Sequence, residues 1–193
     1  MHAPEIVKLN HDSDLSSPLR LMEEIFGPRE GHLAALRKWT QDANRSVLTA
    51  WCAGEAIAIS TALITDVPDY EKFGEAAKRF FENHRVGNFQ ILAVRAKFRR
   101  QRLAYELSQR QYAWMQLEKC TAAAGVSWNH GSADTSEHLF KTAGFRHLGQ
   151  VADFYLEESR NKAHRCPVCK SECRCAASLY GIHLLNPSQS SKD

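Results

Sequence analysis

The segment that most constrains the fold of this chain is an apolar stretch that passes through a basic turn into a long helix. Residues Asn88–Val94 are apolar and β-prone, which predicts a buried strand. A helix is predicted from Arg99 to about Cys120, because apolar residues recur on one face of that segment. The turn between them is strongly basic, with cations at Arg95, Lys97, Arg99, Arg100 and Arg102.

The rest of the chain alternates between helical and strand patterns without internal repeats, which predicts a mixed α/β fold. Further strands are predicted at Glu5–Leu9, Ser46–Ala53, Ala56–Thr65, Val126–Asn129, Phe145–Leu148 and Val151–Leu156. Further helices are predicted at Asp14–Phe26, at Arg29 to about Asp42, within Tyr70–His84 and at Ser136–Ala143. With 193 residues, the chain is long enough for one main domain and a small appendage.

Composition excludes several classes of protein. Because 44% of the residues are hydrophobic and 24% are charged, the chain reads as an ordinary globular protein and not as a disordered one. The longest apolar stretch, Ala56–Thr65, falls far short of a bilayer span. No secretion signal is recognised, so a cytoplasmic location and no membrane partner are predicted. Cys52 and Cys120 lie in apolar surroundings and are interpreted as core residues.

The basic turn at the start of the long helix has the chemistry of an anion site. The first turn of a helix presents unpaired backbone N–H groups and a partial positive charge, which stabilise a bound phosphate. The alternative interpretation is a solvent-exposed helix start that is basic but binds no ligand, because it has the same pattern of residues. A third interpretation is nucleic-acid binding, because Phe98 and Tyr105 lie beside the cations.

Two motifs in this order resemble the GNAT family of N-acetyltransferases. Phe98–Ala104 is similar to that family's acetyl-CoA loop, Arg/Gln-x-x-Gly-x-Gly/Ala, and follows a Leu-x-Val strand end at Leu92–Val94. Downstream, Ala133–Phe145 is similar to the family's Asn-x-x-Ala-x-x-Leu-Tyr-x-x-x-Gly-Phe motif. The resemblance covers about residues 4–156. It implies a central, mostly antiparallel mixed sheet flanked by helices.

The resemblance also implies an activity, the acyl-CoA-dependent transfer of an acyl group to an amine by direct attack, with acetyl-CoA as the expected donor. The thioester would be held between splayed strands near Val94 and Val126, with a backbone N–H near Ala93 or Val94 stabilising the oxyanion. The predicted cofactor-binding residues are Leu92, Ala93, Val94, Arg99, Arg100, Gln101, Arg102, Leu103, Ala104 and Tyr105.

A general base must keep the attacking amine neutral, and His130 is the predicted one, because its usual pKa suits neutral pH. A loop histidine without a catalytic role is the alternative interpretation, and Asp134 and Tyr155 are rival acid or base candidates. The sequence departs from the family at three positions. Arg102 replaces the central loop glycine, Ala133 replaces the asparagine, and Phe140 replaces the tyrosine that often protonates the leaving thiolate.

Four cysteines near the C-terminus have the spacing C-x2-C-x3-C-x-C, which favours a single tetrahedral metal ion. The predicted ligands of a structural zinc are Cys166, Cys169, Cys173 and Cys175, with His164 as a substitute ligand. Free or disulfide-bonded cysteines and an iron–sulfur cluster are the alternatives. Residues Leu179, Tyr180, Ile182 and Leu184 are expected to dock this segment on the main domain.

The predicted organisation is therefore a transferase domain at 1–158, a Cys-rich extension at 159–185 and a disordered tail at 186–193. The acceptor amine is left open among a small molecule, a protein and an aminoacyl-tRNA, and the oligomeric state is also left open. The alternative function is a degenerate transferase fold that serves as a CoA-binding or nucleic-acid-binding module.

Overall fold

The computed structural model describes residues 3–27, 31–66, 70–131, 135–161, 166 and 168–184. The strands in these ranges are β1 (Glu5–Lys8), β2 (Arg45–Cys52), β3 (Glu55–Thr65), β4 (Val86–Val94), β5 (Ala122–Asn129), β6 (Arg146–Val151) and β7 (Ala176–His183). The α-helices are α1 (Ser16–Phe26), α2 (His32–Gln41), α3 (Glu75–Phe81), α4 (Leu103–Leu117), α5 (Glu137–Thr142) and α6 (Leu156–Arg160). Short 3-10 helices lie at Glu71–Phe73 and Ala96–Phe98.

The strands form a seven-stranded sheet in the order β1-β2-β3-β4-β5-β7-β6. The pairs β1·β2, β2·β3, β5·β7 and β6·β7 are antiparallel. The predicted class, a mixed α/β fold with a mostly antiparallel sheet and flanking helices, is confirmed. Two compact units make up the chain, one of Met1–Ile64 with Phe89–Met115 and the other of Thr65–Asn88 with Gln116–Asp193.

In the first unit, the β2–β3 hairpin buries both of its faces. Its turn residues Ala53 and Gly54 both have positive φ, 50° and 77°, as a tight two-residue hairpin turn requires. One apolar cluster joins the hairpin to α1 and α2, and the other joins it to α4. Their buried members include Leu21, Leu36, Val47 and Ile59 in the first cluster and Leu48, Ala58, Leu103 and Leu107 in the second.

Helix α4 is held on this hairpin by a buried amide as well as by apolar contacts. The side chain of Gln111 is fully buried, and its Nε2 donates to the backbone oxygens of Ser46 at 3.3 Å and Ser60 at 3.0 Å. A buried amide with these backbone partners fixes the position of α4 along the strands, because sliding the helix would leave polar groups unsatisfied. The start of α4, where the basic turn lies, is therefore rigidly placed on β2 and β3.

In the second unit, β7 pairs with β5 on one side and β6 on the other. The core beneath these strands includes Tyr70, Phe81, Val86 and Leu179. A Cβ built on Gly181 would lie 2.6 Å from the ring of Phe81, so α3 packs this closely on β7 only because residue 181 has no side chain.

Two predictions at the end of the chain differ from the structure. The predicted strand Val151–Leu156 is wrong, since β6 ends at Val151 and Leu156 begins α6. The segment assigned to the Cys-rich extension contains β7, and this strand, Ala176–His183, lies inside the sheet between β5 and β6. The tail at 186–193 lies outside the described residues. Within the described ranges, no helix combines the length and apolar character needed to cross a bilayer.

Candidate functional site

The end of β4 leads into the basic turn within the first unit. Ala93 is buried in the cluster with α1 and α2, while Leu92 and Val94 pack against the cluster with α4. This alternation is what a strand with both faces covered produces. The backbone N–H of Arg95 then donates to the Ile57 oxygen at 2.9 Å, which ties the strand end to β3.

The cations of the basic turn have different roles. Arg95 is a structural residue, because its Nε lies 3.0 Å from Glu24 and its Nη1 lies 2.8 Å from Glu55, with only 15% of the side chain exposed. Arg95 also holds the pKa of the Glu55 carboxyl below its usual range. The Nε of Arg99 donates to the Val94 oxygen at 3.1 Å and folds the turn back on the strand end. Arg100 and Arg102 are exposed.

The backbone of the turn takes left-handed conformations at residues that are not glycine. Arg100 has φ of 61° and Arg102 has φ of 64°. Residue 102 is the position at which the resembling motif has glycine, and a left-handed conformation strains the arginine that stands there. The Arg102 guanidinium lies 5.5 Å from the centroid of the Tyr105 ring, a cation–π contact that keeps this side chain along the start of α4.

Helix α4 begins directly after this turn. The N–H of Glu106 donates to the Arg102 oxygen at 3.0 Å, so the backbone N–H groups of Leu103, Ala104 and Tyr105 form the first helical turn. First-turn N–H groups have no partner within their own helix. Gln101 is held in the turn by donation from its Nε2 to the Lys97 oxygen at 3.3 Å. All ten predicted cofactor-binding residues thus lie on one continuous strand, turn and helix start.

The second unit places His130 at the end of β5. The half-buried imidazole packs beside Trp128, with the ring centroids 4.4 Å apart and the planes tilted by 54°. Between them along the chain, Asn129 donates from Nδ2 to the Ser178 hydroxyl at 2.7 Å and links the strand end to β7. Asp134, a rival candidate, lies outside the described residues, as does Ala133.

Phe140 is a core residue of the second unit. Only 6% of it is exposed, and its ring centroid lies 5.5 Å from that of Tyr180 in a stacked arrangement. The ring tip covers Gly125, because a Cβ built there would lie 2.1 Å from the Phe140 Cζ. A tyrosine hydroxyl would attach at this Cζ, in the tightest part of the contact. The neighbouring Tyr180 hydroxyl is hydrogen-bonded to Glu137, and burial, with that contact, raises the pKa of Tyr180 to about 12.

The four predicted zinc ligands come together. Their sulfur atoms all lie within 4.8 Å of one another, with Cys166 Sγ 3.9 Å and Cys169 Sγ 3.5 Å from Cys175 Sγ. A tetrahedral zinc with Zn–S bonds of about 2.3 Å requires sulfur separations of about 3.8 Å, and the two separations to Cys175 Sγ lie within about 0.3 Å of that value. Four thiolate ligands leave no open coordination position, so the donor set suits a structural ion. His164 lies outside the described residues.

Two backbone N–H groups hold Cys169 and Lys170 against Cys166. The N–H of Cys169 donates to the Cys166 sulfur at 3.2 Å, and the N–H of Lys170 donates to the Cys166 oxygen at 3.1 Å. Lys170 has φ of 60°, which turns the chain sharply after the second cysteine. Burial raises the pKa of the Cys173 and Cys175 thiols, so these side chains are neutral unless a cation stabilises their thiolates.

The cysteine cluster, defined as Cys166, Cys169, Cys173 and Cys175, is held against α6. The N–H of Cys173 donates to the Ser159 hydroxyl at 2.8 Å, and the Arg160 Nε lies 3.1 Å from Glu172. Tyr155, the other rival acid or base candidate, packs against the cluster, and burial raises its pKa to about 12.

Trp128 also packs on the cluster. Sequence patterns did not indicate this contact, because a tryptophan in a strand reads only as a core residue.

Solved structures share this fold. NAA60 of Arabidopsis thaliana in complex with a bisubstrate analogue has 15% identity and a TM-score of 0.70, over 95% of this chain and 100% of that one. A GNAT family acetyltransferase of Elizabethkingia anophelis with acetyl-CoA bound has 14% identity and a TM-score of 0.62, over 95% and 100%. An aminoglycoside 6'-N-acetyltransferase of Acinetobacter baumannii has 23% identity and a TM-score of 0.59, over 77% and 95%.

No protein-family model matches the chain, and no curated protein matches it. The structural likeness nevertheless extends over 95% of the chain in two of these comparisons, and therefore beyond the two motifs from which the resemblance was inferred. The chain has the fold of GNAT acetyltransferases, as the resemblance predicted.

Proposed function

We propose that this protein is an acyl-CoA-dependent N-acyltransferase that uses acetyl-CoA as its donor. The observation that carries the proposal is the turn from β4 into α4, where the exposed cations Arg100 and Arg102 directly precede the first-turn N–H groups of α4 at the position of the acetyl-CoA motif. Structures with this fold that contain acetyl-CoA support the choice of donor.

The pyrophosphate of CoA is the proposed ligand of the start of α4. The N–H groups of Leu103, Ala104 and Tyr105 would donate to phosphate oxygens, and the helix dipole would favour their charge. Arg100 and Arg102 are exposed beside this turn and add positive charge. Arg95 instead forms ion pairs with Glu24 and Glu55. Arg99, Gln101 and the strand end Leu92–Val94 complete the proposed donor site.

The proposed reaction is a direct transfer. The neutral amine nitrogen attacks the thioester carbonyl carbon, the C–N bond forms, and the oxyanion is stabilised by a backbone N–H near Ala93 or Val94. Collapse of this intermediate breaks the C–S bond, and CoA leaves as a thiolate. His130 is the proposed base that takes the proton from the amine. The buried Phe140 offers no proton, so the thiolate is protonated by solvent.

We further propose that the cysteine cluster binds one structural zinc ion, which crosslinks the segment between β6 and β7. The sulfur separations and the N–H donation to Cys166 support zinc. The cysteine cluster also supports a proposed cytoplasmic location, because a reducing compartment keeps such thiols available for metal. The acceptor is proposed to be an amine of a small molecule, a protein or an aminoacyl-tRNA.

The test of the donor site is calorimetric titration of the full-length protein with CoA and with acetyl-CoA. We expect both to bind, and we expect a rise in melting temperature, since a ligand at a hundredfold excess over Kd stabilises the fold by about 2.7 kcal/mol. Arg100→Ala should weaken CoA binding, whereas Arg79→Ala, which removes an exposed cation from α3, should leave it unchanged. Absence of any binding at millimolar CoA would contradict the proposal.

A second candidate function is a CoA-binding or nucleic-acid-binding module without catalysis. The observation in its favour is the packing of Phe140 into the core at the position where the resembling motif has a catalytic tyrosine. The two functions are separated by incubating the protein with acetyl-CoA and a mixture of amines and measuring free thiol. Release of CoA that depends on amine supports the transferase, while CoA binding without release supports the module. Salt-sensitive retention of bulk RNA with no CoA binding supports the nucleic-acid role.

A further inference from the structure

Arg95 directly follows β4 and begins the basic turn. Its backbone N–H donates to the Ile57 oxygen at 2.9 Å, and its backbone oxygen accepts a hydrogen bond from the Phe98 N–H at 2.8 Å. The first bond joins the end of the strand to β3, and the second forms part of the 3-10 helix that follows. The path of the turn toward α4 therefore starts from the position of this one residue.

The Arg95 side chain ties the same point to two other elements of the first unit. Its Nε lies 3.0 Å from Glu24 in α1, and its Nη1 lies 2.8 Å from Glu55 at the start of β3. Only 15% of the arginine side chain is exposed, whereas 49% of the Glu24 side chain and 57% of the Glu55 side chain are exposed. One guanidinium thus joins a helix, a hairpin and a strand end.

Stability alone does not account for these ion pairs. Burial of a guanidinium costs free energy, and replacement of a buried ion pair by apolar residues of similar size is often neutral or stabilising. Glu24 is also unfavourably placed within its own helix, because it lies in the last turn of α1, where the helix dipole disfavours a carboxylate. Charged groups that meet at defined atoms fix a geometry more closely than apolar contacts do. The arrangement therefore favours a role in the position of the strand end.

We propose that Arg95 is a positioning residue for CoA, which holds the basic turn in its binding conformation before the ligand arrives. The turn has an anchor at each end. Helix α4 anchors the far end through the buried Gln111, and Arg95 anchors the near end through Glu24 and Glu55. Without the near anchor the turn occupies other conformations, and the apparent Kd rises as the binding-competent fraction falls. The inference rests on the proposed function, because it takes the start of α4 as the CoA site.

The first measurement is amide hydrogen exchange of the full-length protein without ligand, because exchange reports the opening of the turn directly. Arg95→Met keeps an unbranched side chain but removes the charge and the donors. In this variant we expect the N–H groups of Phe98 and Arg99, which bond within the near end of the turn, to exchange about tenfold faster. The N–H of Glu106, which bonds within the start of α4, should keep its rate.

The second measurement compares stability with CoA binding. The urea midpoint of Arg95→Met should stay close to the wild-type value, because the two carboxylates it leaves are about half exposed and remain hydrated. The Kd for CoA, measured by calorimetry, should nevertheless rise about tenfold. A residue with a merely structural role would lower the midpoint as well.

The matched control is Arg45→Met. Arg45 lies in the same unit, pairs with Asp42, and has 12% of its side chain exposed. It stands opposite Leu63 at the open end of the β2–β3 hairpin, away from the end at which Arg95 bonds to Ile57. Arg45→Met should therefore leave both the Kd for CoA and the exchange of the turn unchanged.

The carboxylates separate positioning from charge. Arg95→Met removes a positive charge near the proposed anion site, so simple attraction would also weaken CoA binding. The double variant Glu24→Gln with Glu55→Gln instead removes two negative charges and keeps the arginine, so attraction alone predicts tighter binding. Positioning predicts the opposite, a Kd raised about threefold or more, because the guanidinium has lost both charged partners.

Wild-type exchange rates at Phe98 and Arg99 in folded Arg95→Met overturn the inference, and this result does not depend on CoA. If Arg95→Met does not fold, exchange in the double variant decides, and wild-type rates there overturn the inference equally. Unchanged or tighter CoA binding by the double variant overturns positioning in favour of charge. Faster exchange in Arg95→Met, in a protein that binds no CoA, overturns the proposed donor site alone and leaves the anchor established.

Discussion

Gly125→Ala is expected to destabilise the protein by about 2 kcal/mol, because the contact between β5 and Phe140 leaves no room for a methyl group. A Cβ at residue 125 would lie 2.1 Å from the Phe140 Cζ and 2.5 Å from its Cε1, and the ring is itself held by Phe145 and Tyr180. Overpacking of this kind costs about 1–3 kcal/mol. Replacing glycine with alanine also restricts the unfolded chain, which stabilises the folded protein by about 0.4–1 kcal/mol. This gain offsets part of an overpacking penalty that lies near the upper end of its range.

The assay is urea denaturation with a parallel thermal melt, in which 2 kcal/mol corresponds to a loss of about 4–8 °C for a chain of this length. Phe140→Leu supplies the matched background, because it removes the ring atoms that meet the added methyl group. In that background, Gly125→Ala should be neutral or slightly stabilising, which makes the coupling energy of the double-mutant cycle at least about 1 kcal/mol. Equal penalties in the two backgrounds, or a neutral Gly125→Ala in the wild-type protein, would refute the packing argument.

Three further predictions concern the turn, the proposed base and the half-buried His84. Arg102→Gly should be more stable than Arg102→Ala by about 1 kcal/mol, because glycine adopts a φ of 64° without strain. Equal urea midpoints for the two variants would show that the backbone is not left-handed at residue 102. His130→Gln should lower the rate of amine acylation about 10²–10⁴-fold with the Kd for CoA unchanged, and an unchanged rate would remove His130 from the mechanism. Burial, with the neighbouring His183, lowers the pKa of His84 in the folded state, so the unfolded chain binds the proton more tightly. The free energy of unfolding should therefore fall as pH drops below about 6.5, and His84→Gln should reduce this dependence in denaturation measured from pH 7.5 to 5.

Local patterns in the sequence were sufficient for the elements whose apolar residues recur regularly. The hairpin of β2 and β3 and the helix α4 were predicted within a few residues, because apolar periodicity and a Gly-containing turn determine such elements locally. The spacing of the four cysteines likewise predicted a cluster that the structure brings together, since residues so close in sequence need no distant partner to meet.

The placement of β7 was decided by tertiary structure. The segment Ala176–His183 is apolar and β-prone, but nothing local indicates that it inserts between β5 and β6, because the pairing partners lie about 50 and 30 residues earlier in the chain. The contact of Phe140 with Gly125 and the position of Trp128 between the cysteine cluster and His130 depend on this same insertion. Residue types and spacings thus determined which chemical groups this protein has, whereas strand order determined which of them touch, because side chains distant in sequence meet only through the sheet.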